Sequence, residues 1–308
     1  MRTLNKISLR FVIALIIALG TNHVTAQESA PTPQASPSPA AQTMIVSDHF
    51  QTSGRHAPDN LNEEQTASQR KSETARPASE RLEVEAGYSY EHLTNGFAPW
   101  RSAHLFVGKK FASRQSLYGI YRETWRVGQR DREGLIGFYQ PLGHRWAVLL
   151  EANASSTHRI LPKWSALAQV ERQFGQGWVG SAGYRHTVYN TAQVSTGTFT
   201  VERYFSRYRA AYTLYVSGLE GAGTSASHRG QFNYYYGEQS STLGVSFAAG
   251  RELENLGTRI LRTGVQSFAI QGRHWLNSRW GMNYDSTLHR QGDIYTRRGF
   301  SVGLRYRF

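Results

Sequence analysis

The amino-acid sequence predicts an all-β protein: a closed, antiparallel, up-and-down transmembrane β-barrel of about 14 strands, with 12 as the alternative count, after a disordered N-terminal spacer. Three observations predict this fold. An export signal opens the chain, apolar residues recur at every second position in many segments, and tight connections alternate with longer ones. Because a β-strand sends successive side chains to opposite faces, a period of two separates an apolar surface from a polar one.

Composition excludes several other classes of protein. The chain has 308 residues, 35 Lys and Arg against 22 Asp and Glu, and no cysteine. A helical membrane protein needs segments of about 20 consecutive apolar residues, and the only long apolar run is Phe11 to Leu19. Without cysteine the chain has no disulfide framework and no thiolate metal site.

The N-terminal part divides into two segments. Residues 1–26 have the pattern of a secretory signal peptide, with a basic start, the short apolar stretch Phe11–Gly20 and small residues at 24–26. Residues 27–80 are rich in Pro, Ser and Gln and poor in bulky apolar residues, so they cannot bury enough surface to offset the entropy of ordering. We predict a disordered periplasmic spacer there and an outer-membrane β-barrel over residues 81–308.

The C-terminal strand shows the alternation most clearly. Five apolar residues occupy one face: Phe300, Val302, Leu304, Tyr306 and Phe308. Small or cationic residues occupy the other face. A final strand of this kind that ends in Phe is similar to the assembly signal of bacterial outer-membrane barrels, so we expect the barrel-assembly machinery as a partner.

The same period predicts the other strands. The fourteen predicted strands are 82–92, 101–111, 116–126, 132–139, 145–155, 164–174, 178–189, 194–204, 207–217, 227–237, 241–250, 263–275, 279–289 and 298–308. Tight connections follow the even-numbered strands. Longer loops are expected after the odd-numbered strands, at 93–100, 156–163, 218–226, 251–262 and 290–297, with short exceptions at 127–131 and 190–193. Outer-membrane barrels have short periplasmic turns and longer outer loops, so the tight ends are expected in the periplasm.

Aromatic residues near strand ends are expected in girdles at the two membrane interfaces, where their amphipathic rings suit the headgroup region. These residues are Trp100, Trp125, Trp164, Trp178, Trp275, Trp280, Tyr204 and Tyr208. The alternative is a soluble β-sandwich with these rings in its core.

Short aromatic and glycine motifs resemble those of a known family. They are Leu161-Pro162-Lys163-Trp164, Gly177-Trp178, Gly183-Tyr184-Arg185-His186, Tyr204-Phe205 with Tyr208, Tyr234-Tyr235-Tyr236-Gly237, and Gly250 followed by Glu252. Together they resemble the YaiO family of bacterial outer-membrane β-barrel proteins over about residues 82–308. The resemblance implies an integral outer-membrane location and supplies no catalytic residues.

Charged residues on the polar faces of the strands are expected to line the lumen. They are Glu83, Glu85, Glu151, Glu171, Arg185, Arg207, Arg209, Arg229 and Arg305. In strand 116–126 the alternation does not decide the face of Arg122 or Arg126. An Arg-rich lumen favours anions, which predicts a pore or exporter for polar or anionic solutes or polysaccharide. The alternative is a plugged structural barrel whose buried charges form ion pairs.

A lipid- or glycan-modifying enzyme is a further alternative, but we assign no catalytic residues, cofactor or metal. Ser227 and His228 are adjacent, and Ser286 and His289 are three apart, so both pairs point to opposite faces of a strand and need partners from elsewhere. For these histidines, as for His186, which should point away from Arg185, we expect an interface or loop position. Glu252 and Glu254 lie in a predicted loop, and two carboxylates alone are weak support for a cation site.

The positive charge also bears on partners. Since the chain carries an export signal, we expect no nucleic acid, although basic charge is a footprint of nucleic-acid binding. We expect outer-membrane lipids and lipopolysaccharide as partners of a monomeric barrel. The arginines expected to meet lipopolysaccharide phosphates are Arg251, Arg259, Arg262, Arg290, Arg297 and Arg298.

Overall fold

The computed structural model describes residues 80–111, 114–237, 241–255 and 260–308. The predicted signal peptide, and the predicted spacer apart from Glu80, lie outside these residues. No helix in the described part of the chain is long and apolar enough to cross a membrane.

Fourteen antiparallel strands form one closed barrel, which confirms the predicted fold class and strand count. They are β1 Arg81–Leu93, β2 Trp100–Lys110, β3 Ser116–Arg126, β4 Gln129–Leu142, β5 Trp146–Ser155, β6 Trp164–Gly175, β7 Trp178–Val188, β8 Gln193–Phe205, β9 Tyr208–Leu219, β10 Gly223–Tyr236, β11 Ser241–Asn255, β12 Ile260–Trp275, β13 Trp280–Gln291 and β14 Tyr295–Arg307. Each strand pairs with its neighbours in sequence, so the topology is up-and-down.

The first and last strands close the barrel. Strand β1 pairs with β14 from Glu83 opposite Arg307 to Leu93 opposite Arg297. This pairing leaves no sheet edge, and in hydrocarbon every backbone amide must be hydrogen bonded within the protein. We call the end where β1 starts and β14 stops the terminal end, and the other end the distal end.

Side chains alternate between an apolar outer face and a polar inner face. In β14, Phe300 is 55% exposed and Leu304 is 50% exposed, whereas Arg305 on the other face is 1% exposed. In the strands with regular alternation, the exposed residues are the apolar ones. The apolar rows therefore contact the surroundings, and their polar neighbours point into the barrel. This confirms the predicted alternation and excludes the soluble sandwich.

Two of the five expected long loops are confirmed, since residues 94–99 join β1 to β2 and residues 156–163 join β5 to β6, but the other three are mostly strand. Strands β9 and β10 are joined by residues 220–222 alone, and β13 and β14 by 292–294. Strand β11 reaches Asn255, so most of the predicted loop 251–262 is a continued hairpin. Tight turns are possible because glycine supplies the left-handed backbone that they need, as at Gly221 with φ 73° and Gly292 with φ 51°.

The aromatic girdles are confirmed in part. Trp164, Trp178, Trp280 and Tyr208 are exposed near strand ends on the outer face, and Trp125 is half-buried there. Trp100 and Tyr204 are buried within the barrel, and Trp275 also points inward, with the Arg307 guanidinium 3.8 Å from its ring centroid. The reason is strand phase. Trp100 lies an even number of positions from the inward residues of β2, and Tyr204 does so in β8.

Candidate functional site: the charged interior of the barrel

The inner face carries most of the acidic residues of the barrel, and the register of the strands brings them next to arginines. At the terminal end, Arg305 of β14 is the centre of the first cluster. Its Nη1 donates to Glu83 at 3.0 Å, and its Nη2 donates to Glu85 at 2.6 Å. Arg307 donates to the other oxygen of Glu83 at 2.8 Å. Two carboxylates and two guanidiniums therefore compensate one another where β14 meets β1.

Glu85 also receives hydrogen bonds from other strands. Its Oε1 lies 3.3 Å from Nε2 of His104 on β2, and Asn283 on β13 donates to its Oε2. Gly303 makes room for this carboxylate, because a Cβ on Gly303 would lie 2.6 Å from Glu85 Oε1. A buried carboxylate with this many partners is held in its ionised, paired form.

A second cluster lies between β3 and β7 at mid-height. Arg185 donates to Glu151 at 2.7 Å and to Ser165 Oγ at 3.2 Å. Tyr118 of β3 donates its hydroxyl to the same carboxylate at 2.5 Å. These contacts skip intervening strands, which is possible only on the concave side of the barrel.

The second cluster continues toward the distal end. Arg122 donates to Glu133 at 2.7 Å, and Asn153 donates to the other oxygen of Glu133 at 3.1 Å. The face of Arg122, which the sequence left open, is therefore the inner one. The sequence did not single out Glu133, although it lies within the predicted strand 132–139, because the adjacent apolar residues Leu135 and Ile136 fall on opposite faces. Counting back from Ile136 and Phe138, which are exposed on the outer face, would have placed it inside.

A third cluster lies at the terminal end of β8–β10. Arg209 donates to Glu202 at 2.7 Å and to Asn233 at 3.2 Å, and Tyr204 donates to Glu202 at 3.1 Å. Glu171 of β6 accepts a long hydrogen bond of 3.5 Å from Tyr139.

At the distal end, Trp100 lies among guanidinium groups. The Arg126 guanidinium is 4.4 Å from the ring centroid and that of Arg297 is 5.1 Å away. Arg297 also lies 3.6 Å from Glu91. Arg297, expected to face lipopolysaccharide, is thus buried on the inner face, since its position in β14 has the phase of Arg305. Arg126 also points inward.

Two other expectations for the distal end are corrected. Glu252 lies in β11 rather than in a loop, is buried, and accepts a hydrogen bond from Gln291 at 3.0 Å. His289 is buried on the inner face beside Gln291, not at an interface or in a loop. The side chain of Glu254 lies outside the described part. Among the described residues, no group of three or more His, Asp or Glu side chains could hold a metal ion.

In each of the two Ser–His pairs, the serine and the histidine lie on opposite faces of the barrel wall. Ser227 is buried on the inner face, whereas His228 is on the outer face and hydrogen bonded to Tyr212 at 2.6 Å. Ser286 is exposed outside and His289 is buried inside. Neither serine can donate to its histidine. His186 is half-buried against Trp164 on the outer side, with the ring centroids 5.4 Å apart.

Most of the predicted lumen residues occupy the inner face. These are Glu83, Glu85, Glu151, Glu171, Arg185, Arg209, Arg229 and Arg305, all buried or half-buried. Arg207 does not join them. It lies in the two-residue turn between β8 and β9 and is exposed.

The charges on the inner face nearly cancel within the described part of the chain. The acidic side chains at inward positions are Glu83, Glu85, Glu91, Asp131, Glu133, Glu151, Glu171, Glu202, Glu252 and Asp285. The basic ones are Arg81, Lys110, Arg122, Arg126, Arg185, Arg209, Arg229, Arg273, Arg297, Arg305 and Arg307. Eleven bases against ten acids give a net charge of +1, whereas residues 81–308 contain 28 bases and 15 acids, a net of +13.

Apolar side chains also enter the interior. Five of them pack into one cluster along β2–β6: Phe106, Tyr118, Ile120, Leu149 and Leu167. Across the barrel the inner face of β8 and β9 carries hydroxyl groups, with Thr200 and Thr213 hydrogen bonded at 3.1 Å. The interior therefore has an apolar wall and a hydroxyl-lined wall.

A second apolar cluster narrows the distal end. Tyr189, in the turn between β7 and β8, is 4% exposed and packs with Val194, Leu219 and Leu253. Burial raises the pKa of the Tyr189 hydroxyl, while the charge of Arg126 on β3 acts in the opposite direction.

A closed barrel with an apolar outer surface and a charged, hydrogen-bonded interior defines an integral outer-membrane β-barrel protein. The family is shown by sequence: the YaiO membrane β-barrel domain matches residues 82–255, more than half of the chain. The protein belongs to the YaiO family and is located in the outer membrane. The match ends at β11, so strands β12–β14, over which the resemblance was also expected, lie beyond it.

Other similarities are narrower. An uncharacterised protein of Mycobacterium tuberculosis, Rv0088, is 32% identical over 94 residues, which cover 29% of this chain and 42% of that protein. The chain thus matches about two fifths of that relative's length.

Solved porin structures share little sequence with this chain. Omp33 of Acinetobacter baumannii has a TM-score of 0.46 at 8% identity, with 74% of this chain and 99% of that chain covered. An anion-selective porin from Comamonas acidovorans has a TM-score of 0.44 at 9% identity, with 75% and 99% covered. The KdgM porin has a TM-score of 0.43 at 9% identity, with 72% and 98% covered.

Proposed function

We propose that the protein is a porin-like channel of low conductance that passes small polar solutes with little preference for the sign of their charge. The observation that carries this proposal is the near-cancellation of charge on the inner face, eleven bases against ten acids among the described side chains. Ion selectivity in a pore follows the fixed charge that lines it. A lining with a net charge near zero favours neither anions nor cations.

The pairing of these charges supports the same proposal. Arg185 with Glu151 and Arg122 with Glu133 lie at contact distance, so each guanidinium is neutralised by a carboxylate at its own height in the barrel. We therefore do not propose the anion-selective pore that the arginines on the polar faces of the strands predicted. Fourteen strands also fall between small barrels filled by side chains and the open porins of 16–18 strands, which agrees with a narrow passage.

Planar-bilayer recordings test the proposal. The purified full-length protein is expected to give small, discrete current steps and a reversal potential near zero under a salt gradient. Glu151→Gln is expected to move the reversal potential toward that of the anion, and the matched variant Arg185→Gln toward that of the cation. A strongly anion-selective wild type, or variants that shift in the same direction, would contradict a charge-balanced lumen.

A second candidate function is a closed envelope barrel, and the packing of the distal end favours it. Trp100 and Tyr295 form an apolar cluster with Leu93 on one side of this end, and Tyr189 lies in another cluster opposite. If the protein shows the heat-dependent gel shift of a folded barrel but gives no current at any voltage, the channel proposal fails and the closed barrel is supported.

A further inference from the structure

At the distal end, the exposed arginines on the outer faces of the described strands are confined to one part of the barrel wall. Exposed arginines lie on the outer face near this end of β11–β14 and β1–β4: Arg251, Arg262, Arg290, Arg298, Arg101, Arg130 and Arg132. Strands β5–β10 are all described, and their outer face near this end carries no Arg or Lys. Only the β5–β6 loop adds Arg159 and Lys163 there. The inner face has a net charge near zero, so most of the positive charge of the barrel lies elsewhere, and part of it is concentrated on this outer surface.

The register places the central members of this surface side by side. Arg101 on β2 is directly opposite Tyr90 on β1 and Trp125 on β3, and Trp125 is directly opposite Arg130 on β4. Neighbouring strands are about 4.8 Å apart, so Arg101 and Arg130, two strands apart, start from backbone positions within roughly 10 Å of each other.

One acidic residue orients two of these arginines. Glu123 Oε1 accepts from the Nε atoms of both Arg130 and Arg132, the latter at 2.8 Å. Each guanidinium is held through its inner edge, which leaves the terminal nitrogens for another acceptor. Arg130 also lies over the Trp125 ring at 5.5 Å, and Arg101 lies over the Tyr90 ring at 5.8 Å.

The surface directly toward the middle of the barrel is apolar. On the same face, Tyr121 is 49% exposed, Ile136 is 57% exposed and Val107 is 43% exposed. A ligand that lies along this side of the barrel thus meets an apolar surface and then a cluster of guanidiniums at the distal end. A membrane lipid with acyl chains and phosphate groups has this distribution of polarity, whereas a soluble phosphate compound does not.

We propose that Arg101, Arg130 and Arg132, oriented by Glu123, form a binding site for the phosphate groups of lipopolysaccharide, with the distal end in the outer leaflet. Guanidinium groups bind phosphate through charge-assisted, bidentate hydrogen bonds. Arg298 lies next along the surface, directly opposite His92, and extends the site. The proposal is independent of whether the lumen conducts.

Binding of purified lipopolysaccharide to the full-length protein in detergent tests the site. The triple variant Arg101→Gln, Arg130→Gln, Arg132→Gln is expected to raise Kd about tenfold or more, since each exposed charge pair contributes modestly. The matched control removes three exposed arginines at the terminal end, two on the outer faces of β6 and β8 and one in the β4–β5 turn. It carries Arg145→Gln, Arg172→Gln and Arg203→Gln and is expected to change Kd less than about twofold.

A single variant separates a built site from diffuse attraction. Glu123→Gln makes the surface more positive, so general electrostatic attraction predicts tighter binding, whereas loss of the orienting carboxylate predicts weaker binding. We expect weaker binding. Tighter binding of Glu123→Gln, equal effects of the two triple variants, or equal affinity for phosphatidylglycerol or dephosphorylated lipopolysaccharide would overturn the proposal. The heat-dependent gel shift shows that each variant is folded.

Discussion

Arg305 is the side chain whose removal we expect to cost the most stability. It is 1% exposed and makes contacts of 2.6–3.0 Å with two carboxylates, Glu83 and Glu85. Without it, Glu83 keeps Arg307 and Glu85 keeps His104, so two buried carboxylates lose their shared partner. Removing one partner of a buried ion pair costs about 3–5 kcal/mol. We therefore expect Arg305→Met to lower the free energy of unfolding by about 3–5 kcal/mol.

The measurement is urea unfolding and refolding in detergent or lipid, followed by tryptophan fluorescence and by the gel shift. Arg298→Met, in the same strand but exposed on the outer face, is the control and is expected to change stability by less than about 0.5 kcal/mol. Adding Glu85→Gln to Arg305→Met should recover much of the loss, because the carboxylate that loses its guanidinium partner is then neutral, while Glu83 keeps Arg307. A loss below about 1 kcal/mol, or no recovery in the double variant, would refute the argument.

Three other predictions follow from packing and from the outer face. Gly137→Ala should destabilise the barrel by about 1–3 kcal/mol, because the added Cβ would collide with the Tyr118 ring. Gly134→Ala is the control and should be nearly neutral, since no atom lies within 4 Å of its added Cβ. Equal unfolding midpoints for the two variants would contradict this. Phe247 is 56% exposed near the middle of β11. Phe247→Arg should therefore lower the free energy of unfolding in a bilayer by about 2–4 kcal/mol, whereas Phe247→Leu should change it little. A refolding titration in lipid vesicles that finds the two variants alike would place this face outside the hydrocarbon. Trp100→Ala removes a buried ring from the distal end and should raise single-channel conductance, or produce it if the wild type is closed; unchanged currents from a folded variant would locate the constriction elsewhere.

In strands where apolar and polar residues alternate regularly, the face of each side chain could be predicted from the sequence, because this alternation depends only on neighbouring residues. In β14 the pattern from Phe300 to Phe308 requires only that successive side chains point to opposite sides. Local phase fails at strand ends, where one residue more or less changes the face or the element. Trp100, Arg297 and Glu252 were misplaced for this reason, and Arg122 and Arg126 could not be placed, since both faces of β3 carry mixed residues.

What the sequence indicated by itself is therefore the class of protein: about fourteen segments with apolar residues on one face, and motifs that resemble a known family of outer-membrane barrels. The tertiary structure decided which charges meet. Arg305 and Glu83 are 222 residues apart in sequence, and only the closure of β14 onto β1 brings them to 3.0 Å. Composition gives the total charge of the barrel, but the register between strands divides it into a nearly neutral interior and a basic outer surface, because pairing depends on distant segments that no local pattern specifies.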